Sequence, residues 1–124
     1  MPERQIRLDL EQDESKPYRW TMGGQSFPEA DMIDVGHGER VRFVMRNRTM
    51  MAHPMHLHGH FLRDVTAHPN GPMKDTIVVP PQRTVRLDLL ADNPGEWMFH
   101  CHNLYHQSAG MMRVVHVAEA GGKA

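Results

Sequence analysis

The stretch Val41-Arg42-Phe43-Val44-Met45 puts Val41, Phe43 and Met45 at every second position, the period of a strand with one buried face. Ile6-Arg7-Leu8-Asp9-Leu10 and Val85-Arg86-Leu87-Asp88-Leu89 repeat the pattern. Turn formers punctuate the chain at Gly23-Gly24, Gly36-His37-Gly38, Pro69-Asn70-Gly71-Pro72, Pro80-Pro81 and Asp92-Asn93-Pro94-Gly95. Most of these lie too close together for long helices between them. The expected class is all-β, a Greek-key sandwich or barrel.

A chain of 124 residues is sized for one core, with a single domain expected over 1–118 and a flexible tail over 119–124. The formal charge of -1 and the scatter of basic residues among acidic ones along the chain leave no footprint for nucleic acid or an acidic membrane, so neither is expected as a partner. The start, Met1-Pro2-Glu3-Arg4-Gln5, has no apolar h-region, so no signal peptide is expected in this chain, and no apolar run is long enough to cross a bilayer. One cysteine excludes an internal disulfide and leaves packing, reactivity or metal ligation as its work.

That cysteine lies in His100-Cys101-His102-Asn103-Leu104-Tyr105-His106-Gln107-Ser108-Ala109-Gly110-Met111. A thiolate, imidazoles and a weak thioether form the ligand set of a blue-copper centre, and Cys101, His106 and Met111 supply all but one imidazole. The segment His53-Pro54-Met55-His56-Leu57-His58-Gly59-His60 holds the missing ring. If Trp97–His102 is extended, Cys101 points one way and His100 and His102 the other, while His56 and His58 share a face of their own strand. Two such strands side by side gather His56, His58, His100 and His102, since cross-strand Cβ atoms lie ~5 Å apart. A bend at Pro54 is expected to turn His53 to the Cys101 side. Zinc is the competing metal, needing no methionine.

These two segments resemble the signature motifs of the C-terminal cupredoxin domain of multicopper oxidases, the laccase-like and periplasmic copper-resistance enzymes. Tyr18-Arg19-Trp20-Thr21-Met22-Gly23-Gly24, Asp75-Thr76-Ile77-Val78-Val79-Pro80-Pro81 and Asn93-Pro94-Gly95-Glu96-Trp97 extend the resemblance over nearly the whole chain. It implies a cupredoxin-type fold and copper as cofactor. It assigns His53, Cys101, His106 and Met111 to type 1 copper, His56 to type 2 copper, and His58, His100 and His102 to type 3 copper. The family's trinuclear cluster uses eight histidines, four of them from two His-x-His pairs in another domain. His37, His60, His68 and His116 form no such pair here, so one chain offers half of a cluster.

The resemblance therefore implies an oxidase, completed by homo-oligomerisation as a dimer or trimer or by a partner cupredoxin domain. Its reductant is Cu(I) or a small phenol, its oxidant dioxygen, and its setting periplasmic or extracellular. The other readings are a stand-alone blue-copper electron-transfer or copper-binding protein, and an excised or engineered domain. His37, His60, His68 and His116 are expected at the surface, Trp20 and Trp97 in the core. The Asp75 and Glu96 carboxylates are candidates for orienting ligand imidazoles.

Overall fold

The computed structural model describes residues 4–12, 20–27, 30–101 and 110–120. His102 and His106, and residues 121–124 of the expected tail, lie outside them. The alternation at 41–45 forms the strand Arg40–Arg46 (β5), and that at 85–89 forms Thr84–Leu90 (β10). They pair antiparallel along their full length, Phe43 opposite Leu87 and Val41 opposite Leu89. Arg4–Arg7 (β1) adds a parallel edge to β5, and Leu62–Asp64 (β7) and Met73–Lys74 (β8) extend the other side.

The second sheet runs Ile33–Val35 (β4), Met112–Val117 (β12), Gly95–Cys101 (β11), His53–Leu57 (β6) and Thr76–Val79 (β9). Again the first edge strand is parallel and the remaining pairs antiparallel. The chain passes repeatedly between the sheets, so the expected Greek-key sandwich is what forms. Phe43 of the first sheet meets Phe99 of the second edge to face at 5.2 Å, and fully buried Met45, Met55, Leu57, Leu62 and Leu87 fill the space around them.

Ile6–Leu10 is not one strand. Leu8 still donates its N–H to Val44 and Leu10 still bridges Asn47 just past β5, but the regular ladder stops at Arg7, and Leu10–Gln12 (β2) pairs on its other side with Trp20–Met22 (β3) in a separate ribbon. A further feature depends on register. Period-two alternation brings Arg7, Arg40, Arg42, Arg46, Arg63 and Arg86, distant in sequence, onto the outer face of the first sheet. Among the described residues Asp88, held bidentate by Arg42 at 2.7 and 3.0 Å, is the strand-borne anion that sits among them, and Asp9 pairs with Arg7 at 2.9 Å just past the edge strand. Among the described residues no helix is long and apolar enough to cross a membrane.

Candidate metal centre

In the second sheet β11 lies between β12 and β6, with Cys101 opposite Met55 and His100 opposite His56. Neighbouring residues on a strand face opposite ways, so Cys101 joins the core while His100 faces outward. The segments 53–58 and 100–101 therefore meet as the spacing predicts, with their side chains divided between the two faces.

On the inner side His53 and Cys101 are both fully buried, with His53 Nδ1 3.7 Å from Cys101 Sγ. No bend at Pro54 is needed. Pro54 sits within β6 opposite Val78, and the odd separation of His53 from His56 alone puts them on opposite faces. Fully buried Met111 is tied to Cys101 through its carbonyl, which accepts the Cys101 N–H at 3.1 Å. Trp20 of β3 closes another side, edge-on to the His53 ring at 5.5 Å.

The orientation of His53 comes from residues the sequence reading passed over. Buried Asn47 donates through Nδ2 to the carbonyls of Met51 and Val79, which makes its Oδ1 an acceptor for the Thr49 N–H and hydroxyl. With its proton committed to an oxygen, Thr49 Oγ1 accepts from His53 Nε2 at 2.8 Å. This fixes the proton on Nε2 and turns the Nδ1 lone pair to the thiol. The signal available was Asn47-Arg48-Thr49, a polar triplet ending β5 just before His53.

On the outer side the rings of His56, His58 and His100 lie 4.9, 5.0 and 5.8 Å apart by pairs. His56 Nδ1 donates to the Asp75 carbonyl at 2.7 Å, and His100 Nδ1 to the Cys101 carbonyl at 2.9 Å. Both bonds commit Nδ1 and present Nε2, the arrangement that outer partners give to metal-binding imidazoles. His58 Nε2 lies 2.9 Å from His100 Nε2. The expected Asp75 contact thus exists, but through main chain rather than carboxylate. Glu96 stands opposite His116, away from these rings, and His116 pairs with Asp34.

His60 departs from expectation. It is 8 % exposed, with Nδ1 3.2 Å from the His58 carbonyl and its ring edge-on to Trp97. The turn at Gly59 folds it back beneath His58. Among the described residues no three His, Cys, Asp or Glu side chains close on one point as a ready metal site, and each expected set includes one residue outside them.

The sequence model of the family described as Multicopper oxidase matches residues 1–121. The chain belongs to the multicopper oxidase family. It is 45 % identical over 95 residues to Multicopper oxidase MmcO of Mycobacterium tuberculosis, covering 76 % of this chain and 19 % of that protein. It is 40 % identical over 119 residues to Copper resistance protein A of Escherichia coli, covering 95 % of this chain and 20 % of that one. The chain thus spans about a fifth of the length of these curated relatives. The crystal structure of McoA multicopper oxidase from Aquifex aeolicus superposes with a TM-score of 0.79 at 25 % identity, over 94 % of this chain and 29 % of that one. That of Fet3p, a multicopper oxidase that functions in iron import, superposes at 0.85 and 22 % identity over 98 % and 32 %, and shows the fold.

The expected cupredoxin fold stands, and this is a cupredoxin unit of multicopper oxidase type with copper as its cofactor. The donor chemistry fits that metal. A buried imidazole nitrogen faces a buried thiol, a buried thioether is tied to the same strand, and carbonyl-held imidazoles gather on the opposite face.

Proposed function

We propose that this unit holds type 1 copper with His53, Cys101, His106 and Met111, and half of a trinuclear copper site with His56 as type 2 ligand and His58, His100 and His102 as type 3 ligands. One observation carries the reading: Cys101 and His100 are consecutive on β11 and face opposite sides, one towards His53 and the other towards His56 and His58. Bound copper supplies one-electron oxidation of a reductant at the first set and reduction of dioxygen to water at the second. The chain's own residues fix the geometry. Thr49 holds His53, the Asp75 and Cys101 carbonyls hold His56 and His100, and Trp20 shields His53 from water. The peptide between His100 and Cys101 is a short covalent path joining the two sets.

The other half of the cluster comes from a partner cupredoxin domain or from further copies of this chain as a dimer or trimer. The face round the histidines supports docking, since Met98, 43 % exposed, and Val78, 55 % exposed, flank the rows that carry them. Residues 1–118 act as one unit in this reading. The reductant is Cu(I), with phenols next. The relatives named for copper resistance and the exposed thioethers of Met50 and Met51 support the first. A periplasmic or extracellular setting goes with that role.

The test combines copper per chain, mass by light scattering and oxygen uptake on Cu(I) and on a phenol, for wild type beside His56→Ala/His58→Ala. More than one copper per chain in an oligomer, with oxygen uptake that the double variant loses, supports the oxidase. A monomer holding about one copper and consuming no oxygen above free copper replaces it, for this chain alone, with electron transfer or copper binding.

A further inference from the structure

Among the described residues Arg113 is the one buried side chain with a permanent charge, 7 % exposed on β12. It stands directly opposite Phe99, on the face that Phe99 shares with Cys101. Cys101 is its diagonal neighbour, and such neighbours lie about 7–8 Å apart across an antiparallel pair. Met111, tied by its carbonyl to the Cys101 N–H, precedes it by two residues on the same chain.

The guanidinium is held by neutral groups. Nε donates to the Asp31 carbonyl at 3.0 Å and Nη1 to the Met22 carbonyl at 3.1 Å. Among the described residues no carboxylate stands within ion-pair distance, the Asp31 side chain being occupied by Gln25. Burial pushes the Arg113 pKa down, with the Asp31 carboxylate pulling the other way. Arginine starts so high that the charge persists. Gly23 makes the space: at φ +68, a Cβ there would come within 2.9 Å of Nη1. The same contact clamps the end of β3, the strand that sets Trp20 against His53.

We propose that Arg113 is a positioning residue whose fixed charge, held by carbonyls rather than in an ion pair, raises the reduction potential of copper held at Cys101 and His53. The inference rests on the type 1 reading. Oxidised copper carries one more positive charge than reduced copper, so a nearby buried cation disfavours the oxidised form. At an effective dielectric near 20 and a separation of about 10 Å, Coulomb's law makes the effect about tenfold in the oxidation equilibrium. Salt screens such a buried pair far less than a surface one.

The test is redox titration of the copper-loaded chain at low and high salt, with the visible thiolate-to-copper band as a separate readout. Arg113→Met should keep the band and shift the equilibrium about tenfold towards Cu(II), about 59 mV for one electron. Arg113→Gln keeps donors for the two carbonyls and serves if the methionine variant does not fold. Arg113→Lys keeps the charge but loses the fork, and should recover more than half of the shift. Neutral variants that keep both band and wild-type potential overturn the proposal. So does a lysine variant shifted as far as the neutral ones, since that marks a purely structural role. A colourless wild type overturns the type 1 reading and the inference with it.

Discussion

Gly59→Ala tests the turn that ends the His56–His58 segment. Gly59 has φ +75, and a Cβ built there would lie 2.7 Å from Trp97 Cδ2 and Cε3 and 2.8 Å from Cζ3. Those atoms belong to an indole ring pinned by Nε1 donating to the Asn93 carbonyl at 2.8 Å, while Asn93 Nδ2 holds the Gly59 carbonyl at 3.1 Å. The ring cannot withdraw without breaking that loop. Left-handed backbone at a residue with a Cβ costs about 1–2 kcal/mol, and an added methyl in a packed site about 1–3, giving roughly 2–5 kcal/mol in all. Small domains have only about 5–15 kcal/mol of stability, so urea unfolding should show a large fall in midpoint at unchanged slope. Trp97→Leu alone should cost less. In the double variant alanine should cost only its backbone strain, leaving a coupling of about 1–3 kcal/mol in the cycle. An unchanged midpoint in Gly59→Ala, or strict additivity in the double variant, would refute the close approach.

Cys101→Ser should abolish the visible charge-transfer band of copper-loaded protein, and Met111→Leu should retain it while raising the potential, as read by spectroscopy and redox titration. A coloured serine variant removes Cys101 from the ligand set. His100→Ala/His102→Ala should lose copper beyond the first equivalent yet stay blue, because His100 faces away from the thiol and strand parity predicts the same side for His102; metal analysis beside the absorption spectrum checks this. Thr49→Val keeps shape but removes the acceptor at 2.8 Å from His53 Nε2, so copper affinity should fall about 10–100-fold in competition with a chelator. Unchanged affinity would mean that Thr49 does not orient the ring.

The meeting of His53 with Cys101, and of His56 and His58 with His100, was legible because strand parity is a property of sequence separation. That parity needed no help from Pro54, which the regular strand accommodates. The groups that orient the imidazoles were less legible. The Asp75 and Cys101 carbonyls are main chain, so no side-chain pattern marks them. Asn47 and Thr49 form a buried polar network only after Val79, from a strand 32 positions away, supplies a carbonyl. His60 reads as a surface histidine until the Gly59 turn folds it against Trp97. Leu8 and Asp9 continue an unbroken alternation, yet the ladder to β5 is interrupted there, where Asp9 and Leu10 take β3 as a second backbone partner while Leu10 keeps a bridge to Asn47.

The arginine-lined outer face of the first sheet lies across the sandwich from the sheet that carries the histidines and Cys101. Six guanidiniums set against the carboxylates of Asp88 and Asp9 leave this face with a positive excess, although the whole chain is formally -1. Net charge is then a poor guide to its behaviour at a surface. On carboxylate-coated gold it should settle with the guanidiniums down and the donor atoms held back by the thickness of two packed sheets. An amine-coated electrode should turn it over, bringing Asp34, Glu96 and the imidazole face towards the metal film, and interfacial electron transfer should be faster in that pose.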